Sequence, residues 1–282
     1  MFTRPNYRGH MEPFFGPADA ARWIAVPGDD DDKYSRGVVG FVTGSAKYPG
    51  AAVLGVEAAA RTGVGMIRYL GAGRPTRLVL QRRPEAVTAD GRVQAWVLGS
   101  GQDPENLDET TAVMLDEALG QSVPMVLDGG ALGRRPDARG PALLTPHAGE
   151  LSRLIDLDVD AIRADPDAAA VRAARELDAT VLLKGHTTHI ATPDGTVLRV
   201  RSAPSWLATA GAGDALAGIL GALLATHHEQ LAADPALLAP LAATGAVLHG
   251  LAAERASAGG PLTILDLAAA LPAVIAELLR IP

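Results

Sequence analysis

The chain has 282 residues, of which 48% are hydrophobic and 20% are charged, as expected of a globular rather than a disordered protein. Its 25 basic and 32 acidic residues give a net charge of −7, which disfavours nucleic acid or an anionic membrane surface as the main partner. Cysteine is absent, so disulfides, zinc–thiolate sites, iron–sulfur clusters and thiol nucleophiles are excluded.

Two features bear on membrane association. The N-terminal residues lack the long apolar core of a signal peptide. Residues 235–253 carry no charge and approach the length of a membrane span, but they contain Pro235, Pro240 and His249 and are rich in alanine. We therefore interpret this stretch as a buried helix pair and expect a cytoplasmic protein without membrane contact.

Apolar runs alternate with helical segments along most of the chain. Residues 1–36 are rich in proline, glycine and charge and predict an irregular N-terminal segment. Short apolar runs predict strands at 38–42, 66–70, 78–80, 95–98, 125–127, 142–144, 181–183, 189–191 and 197–200. Helical patterns occupy 49–61, 106–119, 150–155, 168–177, 214–226, 237–256 and 265–279.

This order of elements predicts an α/β fold. Strands that are apolar throughout and are separated by helices indicate a mainly parallel central sheet with helices on both faces. The turn residues Pro193-Asp194-Gly195 lie between two short strands, so we expect an antiparallel hairpin late in the sheet. Neither an internal repeat nor a linker is evident, and we expect a single domain over 1–282.

The strongest candidate site is the run Gly211-Ala212-Gly213-Asp214, which leads directly into an apolar helix. Glycines let the backbone approach a ligand closely. The free N–H groups of the first helical turn and the helix dipole then favour an anion. Asp214 has two open interpretations: a helix cap, or a catalytic base that accepts a hydroxyl proton beside a bound phosphate.

A second candidate is a predicted strand that ends in Lys184-Gly185-His186-Thr187-Thr188. A lysine seldom follows a buried strand without a partner, and phosphate is a suitable one. The alternative is a salt bridge at the rim of the sheet.

Three weaker signals lie elsewhere. His147 and Glu150 are three residues apart, which fits a loop and helix cap better than a metal pair. Asp128 follows a strand and precedes two glycines, so it could bind ligand hydroxyls or the water shell of a magnesium ion. His227 and His228 end a predicted helix and are interpreted as solvated. The chain has neither the Walker A motif nor a complete dinucleotide fingerprint.

Taken in order, these segments resemble the ADP/ATP-dependent NAD(P)H-hydrate dehydratases of the ribokinase-like superfamily. The similarity runs from about Lys33 to Leu279. Its pieces are Lys33-Tyr34-Ser35-Arg36-Gly37, Tyr48-Pro49-Gly50-Ala51, Arg61-Thr62-Gly63-Val64-Gly65, Leu144-Thr145-Pro146-His147-Ala148-Gly149-Glu150, Leu183-Lys184-Gly185, Ala210-Gly211-Ala212-Gly213-Asp214 and Leu248-His249-Gly250-Leu251-Ala252.

The resemblance implies a ribokinase-like three-layer sandwich and a repair reaction. Such enzymes phosphorylate the C6 hydroxyl of the S epimer of hydrated NADH or NADPH from ADP or ATP with Mg²⁺, and phosphate elimination restores the cofactor. A separate epimerase in the same pathway and a homo-oligomer, with a tetramer as one form, are also implied.

The resemblance also assigns roles to residues, with no protein metal ligand among them. Asp214 is implied as the base. Contacts with the hydrated dinucleotide are implied for Ala51, Gly101, His147 and Asp214. Contacts with the nucleotide are implied for Lys184, Gly185, His186, Thr187, Thr188, Gly211, Ala212 and Gly213.

Two departures and two rival functions remain open. Trp206 stands where the family has small residues, which is expected to reshape the phosphate side of the pocket, and the region after Gly99 is shorter than usual. A hydroxymethylpyrimidine or hydroxyethylthiazole kinase would share Asp214 and the glycine loop but release a stable phosphoester. A nucleotide-binding regulator without catalysis is disfavoured by the retained Asp214.

Overall fold

Eight strands form one sheet in the computed structural model, which describes residues 14–71 and 73–281. The strands are β1 (Val38–Val42), β2 (Met66–Tyr69), β3 (Ala95–Leu98), β4 (Met125–Leu127), β5 (Ala142–Leu144), β6 (Thr180–Leu183), β7 (Thr188–Ala191) and β8 (Val197–Val200). Their order is β2-β1-β3-β4-β5-β6-β7-β8, in which β1 to β6 are parallel, β7 is antiparallel to β6, and β8 is antiparallel to β7. The mainly parallel sheet and its late antiparallel hairpin are thus confirmed.

Both faces of the sheet are buried. Successive side chains of a strand point to opposite faces. In β1, Val39 and Phe41 therefore join one core while Val38 and Val42 join the other. Two separate apolar cores, one on each face, explain why the strands read as continuous apolar runs.

Helices cover the two cores. In chain order they are α1 (Pro17–Ala21), α2 (Pro49–Thr62), α3 (Arg74–Arg82), α4 (Glu109–Leu119), α5 (Ala148–Ile155), α6 (Val159–Ala164), α7 (Pro166–Leu177), α8 (Ala212–Thr226), α9 (His228–Ala233), α10 (Leu238–Ser257) and α11 (Ile264–Leu278). Buried residues of α4 to α7 belong to one core, and those of α1 to α3 and α8 to α11 to the other. The result is the three-layer sandwich that the sequence implied.

The predicted strand at 78–80 is wrong, because these residues lie within α3. Pro75 and Val79 are its buried positions, four residues apart, whereas Leu80 is exposed. Spacing of this kind places two side chains on one face of a helix. The three consecutive apolar residues therefore do not belong to a strand.

The expectation that 1–36 is irregular is wrong over α1, and the part before residue 14 lies outside the described residues. The backbone N–H of Gly16 donates to Asp19 Oδ2 at 3.0 Å, and proline occupies the first helical position. Both features favour a helix start. Ala20 then anchors the short helix in the core.

The uncharged stretch 235–253 is one long helix after a short 3₁₀ turn, Pro235–Leu237, and not a helix pair. Pro240 falls in the first turn of α10, where its missing N–H has no partner to lose. Within the described residues, Pro235–Ser257 alone is long and apolar enough to cross a membrane by length and composition, and 78% of its apolar window is buried inside the protein. Such burial is typical of a core helix.

The interpretation of the two adjacent histidines as solvated is wrong for His227. Its side chain is buried, and Nδ1 lies 2.9 Å from the carbonyl oxygen of Leu223. Burial lowers the pKa of His227, which keeps the imidazole neutral. His228 is half-buried at the start of α9.

A close contact between two helices sets the position of α8. A Cβ on Gly218 would lie 2.1 Å from the carbonyl oxygen of Gly55 in α2, and a Cβ on Gly55 would lie 3.3 Å from the carbonyl oxygen of Asp214. Only residues without side chains allow the backbones to approach so closely. The contact aligns the N-terminal turn of α8 with the carboxyl edge of the sheet.

We therefore expect Gly218→Ala to destabilise the protein by about 1–3 kcal/mol, since the added methyl meets backbone atoms that cannot turn away. Chemical denaturation would measure the change. The matched control is Gly50→Ala in α2, where a Cβ meets nothing within 4 Å. Equal stability of the two variants would contradict the proposed role of the contact.

Candidate active site

Polar side chains from four parallel strands converge at one edge of the sheet. Asp128 directly follows β4, and its Oδ1 accepts hydrogen bonds from Lys184 Nζ at 3.0 Å and Thr145 Oγ1 at 2.8 Å. Its Oδ2 accepts a hydrogen bond from Ser100 Oγ at 2.8 Å. Thr145 follows β5, Lys184 follows β6 and Ser100 lies after β3. The carboxyl ends of parallel strands are where such sheets bind ligands.

Lys184 is held as a cation at this edge. Its Nζ lies 3.0 Å from Asp128 and 3.7 Å from Glu150 Oε2. Burial by itself would lower its pKa, but the carboxylates of Asp128 and Glu150 outweigh burial and raise it. The predicted alternative of a salt bridge is therefore present, and the same ammonium also lines a cavity.

His147 and Glu150 form a helix cap at the start of α5. His147 Nδ1 accepts from the backbone N–H groups of Gly149 and Glu150, and Glu150 Oε2 accepts from the backbone N–H of His147. The cap interpretation is confirmed. With Nδ1 used as an acceptor, Nε2 carries the proton of the neutral ring, and this side chain is more than half exposed.

Asp214 is the third residue of α8 and is not its cap. The N-cap is Gly211, whose φ of 93° lies in the left-handed region that favours glycine. The half-buried Asp214 carboxyl faces the negative charge of Asp128 and the positive charge of Lys184. Burial, then repulsion from Asp128, raise the pKa of Asp214 to about 6 against the opposing effect of Lys184. An acidic group with this pKa can accept a proton near neutral pH.

A cavity of about 570 Å³ opens beside the N-terminus of α8. Six of the residues predicted to bind nucleotide line it: Lys184, Gly185, His186, Thr188, Ala212 and Gly213. Thr187 and Gly211 belong to the same two turns but do not line the cavity. The structure thus joins two segments that are far apart in sequence.

Other walls of the cavity come from the segment before the glycine loop, which the resemblance already set at the phosphate side of the pocket, and from two helices, which sequence reasoning missed. The segment after β8 contributes Ser202, Ala203, Pro204, Ser205, Leu207 and Ala208, and the helices contribute Leu216, Ala246 and His249. Trp206 points elsewhere: it is half exposed, and its Nε1 donates to the carbonyl oxygen of Gly259 at 3.3 Å. The segment after β8 could be found from its position just before the glycine loop, whereas Leu216, Ala246 and His249 follow that loop and no sequence pattern placed them at the cavity.

Two of the residues predicted to bind the dinucleotide are in contact. A Cβ on Gly101 would lie 2.3 Å from the Cβ of Ala51. The loops after β1 and β3 also meet, because the Gly44 N–H donates to the Ser100 carbonyl oxygen at 2.7 Å. The strand order reverses between these strands, and such a switch point is a preferred ligand crevice. His147 lies apart from them, beside Lys184.

Comparison with known proteins places the chain in a family. The family model described as NAD(P)H-hydrate dehydratase matches residues 39–271. A bifunctional NAD(P)H-hydrate repair enzyme of Corynebacterium glutamicum is 37% identical over 286 residues, which cover 89% of this chain and 49% of that protein. The chain therefore spans about half the length of such bifunctional relatives.

Two further comparisons involve proteins of similar length. An ADP-dependent (S)-NAD(P)H-hydrate dehydratase of Xanthomonas campestris is 34% identical over 77% of this chain and 82% of its own. A crystal structure of an ADP/ATP-dependent NAD(P)H-hydrate dehydratase from Bacillus subtilis, co-crystallised with ATP and Mg²⁺, matches with a TM-score of 0.84 at 26% identity, over 96% of this chain and 100% of that one. With most of its length matched by the family model and this fold, the chain belongs to the NAD(P)H-hydrate dehydratase family.

Proposed function

We propose that this protein uses ADP or ATP to dehydrate the S epimer of hydrated NADH or NADPH back to the reduced cofactor. The observation that carries the proposal is the Asp214 carboxyl, whose pKa is raised to about 6 and which lies in the first turn of α8, next to a cavity lined by Lys184 and Gly213. Family membership supplies the substrate class.

The chemistry proceeds in two steps. Asp214 accepts the proton of the C6 hydroxyl while that oxygen attacks the terminal phosphorus of the nucleotide, and the bond from this phosphorus to the bridging oxygen breaks, releasing AMP from ADP or ADP from ATP. Phosphate then departs from C6 with the bonding electrons, and loss of a proton from the neighbouring carbon restores the ring double bond. Hydroxide is a poor leaving group and phosphate a good one, so the transfer makes the dehydration easy.

The start of α8 stabilises the phosphoryl group. The first N–H groups of a helix have no partner within the helix, and its dipole favours negative charge. Gly213 supplies such a group at the cavity wall, and Lys184 adds a cation; the N–H of Ala212 donates to the carbonyl oxygen of Thr209 at 3.4 Å. Hydrogen-bond donors that are already in position around a developing charge make the largest contribution to the rate enhancement of many enzymes.

The residues fit a magnesium ion carried by the nucleotide rather than by the protein. The oxygens of Asp128 already accept hydrogen bonds from Lys184, Thr145 and Ser100. Over the described ranges 14–71 and 73–281, no group of three or more His, Asp or Glu side chains could hold a metal ion. Mg²⁺ bound to the phosphates would neutralise part of their charge.

The remaining assignments stay predictions. The dinucleotide is proposed to lie against Ala51 and Gly101 at the switch point, with His147 at its edge and Asp214 at its reactive ring. We also propose that the protein is a cytoplasmic homo-oligomer and that a separate epimerase converts the other epimer. Thr187 and Gly211 are proposed to contact the nucleotide.

Recovery of the absorbance of reduced nicotinamide from hydrated NADH, ADP and Mg²⁺ tests the function. We expect Asp214→Asn to lower the rate by about 10²–10⁴-fold, the usual contribution of a general base. The matched control is Asp266→Asn, since Asp266 is likewise the third residue of its helix but is exposed. A stable phosphoester on another alcohol, without recovery, would instead identify a small-molecule kinase.

The rate should also depend on pH in a set direction. Asp214 must be ionised to accept a proton, and its pKa is raised to about 6. We therefore expect kcat to rise with pH up to about 6 and to level off above it. Initial rates over a pH series, with saturating ADP, would measure this limb. A rate that falls as pH rises through 6 would contradict the assignment of Asp214 as the base.

Lys184→Met should weaken ADP binding by about 10-fold or more, because a charge-assisted hydrogen bond is lost. The variant also leaves the buried Asp128 carboxylate unpaired, which destabilises the protein. The double variant Lys184→Met/Asp128→Asn removes that charge and keeps the comparison valid. Calorimetric titration with ADP measures the affinity of the single and the double variant. An affinity equal to that of the wild type in the double variant would refute the nucleotide contact of Lys184.

A further inference from the structure

One buried imidazole has an unused hydrogen-bonding atom. His249 lies in the middle of α10 and is 7% exposed. Its Nε2 has no hydrogen-bond partner among the residues that the structure describes. An unpaired polar atom inside a protein costs stability, because it has lost its hydrogen bonds to water without replacement. Such atoms are rare enough to need an explanation.

The explanation lies in where the ring sits. His249 lines the cavity of about 570 Å³ at the start of α8, and so does Ala246, one turn earlier on the same face of α10. The backbone of Ala212 and the charge of Lys184 are both close enough to change the pKa of the ring. His249 therefore borders the same space as the helix N-terminus and the ammonium group.

The ring is neutral at neutral pH. Burial, helped slightly by Lys184, lowers the pKa of His249 to about 4, although the backbone of Ala212 acts in the opposite direction. A neutral imidazole offers one donor and one acceptor. It can pair with a ribose hydroxyl or a phosphate oxygen without adding charge beside Lys184.

We propose that His249 is a nucleotide-binding residue whose ring turns when nucleotide binds, so that Nε2, which has almost no accessible surface in the nucleotide-free protein, forms a hydrogen bond with a ribose or phosphate oxygen of bound ADP or ATP. This inference rests on the proposed function, because it takes the cavity as the site of the phosphoryl donor. The cost of the unpaired Nε2 in the nucleotide-free protein is relieved on binding, so the atom contributes to affinity and not to the stability of the free fold.

A binding role and a structural role for His249 predict opposite effects of its replacement on unfolding temperature and on nucleotide affinity. A histidine that stabilises the core would lower the unfolding temperature when replaced and leave affinity unchanged. A binding histidine with an unpaired atom behaves in the opposite way, since an apolar replacement removes the unpaired group.

The test is His249→Leu, followed by calorimetric titration with ADP and Mg²⁺ and by thermal unfolding with and without ADP. We expect about a 2- to 10-fold loss of affinity, the value of one hydrogen bond. The nucleotide-free variant should unfold at the wild-type temperature or higher, and ADP should stabilise it less. In the recovery assay, KM for ADP should rise with kcat little changed.

Two further variants serve as controls for the His249→Leu experiment. His249→Gln keeps a polar group near the position of Nε2 and should regain part of the lost affinity, which also covers the case that the leucine variant does not fold. His227→Leu is the matched control: His227 is equally buried but lies at the C-terminal end of α8, bonds to Leu223 and does not line the cavity. It should bind ADP as the wild type does.

The outcomes separate the two proposals. If wild type binds ADP and His249→Leu binds it equally well, the role of His249 is refuted while the proposed function stands. A lower unfolding temperature with unchanged affinity makes His249 structural and also refutes it. If folded wild-type protein binds neither ADP nor ATP, the proposed function fails and the inference fails with it.

Discussion

The ion pair between Lys184 and Asp128 is the interaction on which the site depends. It joins the ends of β4 and β6, and the hydroxyls of Thr145 and Ser100 donate further hydrogen bonds to the Asp128 carboxylate. A buried charge without a partner is costly, so each member of the pair holds the other in place. The same pair acts on Asp214: burial raises its pKa most, Asp128 adds to the rise and Lys184 limits it.

The helix α8 brings backbone chemistry to this charged edge. Its close contact with Gly55 is possible because Gly218 has no side chain, and its first turn begins at a left-handed glycine. The first turn of the helix therefore holds the backbone N–H of Gly213 at the wall of the cavity and the carboxyl of Asp214 close to the Lys184–Asp128 pair. Anion binding and proton acceptance, which need opposite charges, are kept a few residues apart on a rigid element.

Sequence reasoning failed where a local pattern had two physical interpretations. The apolar triplet at 78–80 suited a strand, but only Val79 among the three is buried, and the segment is helical. The prolines near 235 suggested a break between two helices, although Pro240 falls where a helix tolerates it. His227 looked solvated at a helix end, yet α9 begins directly after it and the ring is buried.

The alternation of apolar runs and helical segments by itself determined the layered α/β architecture, because burial on both faces leaves continuous apolar strands. The order of Lys184, the glycine loop and Asp214 likewise indicated phosphoryl chemistry. Tertiary structure alone decided that Ser100, Asp128, Thr145 and Lys184 converge, that Asp214 is a carboxyl of raised pKa and not a cap, and that His249 borders the cavity at the start of α8. Charges and hydrogen bonds act through space between residues far apart in the chain, and no local pattern records those distances.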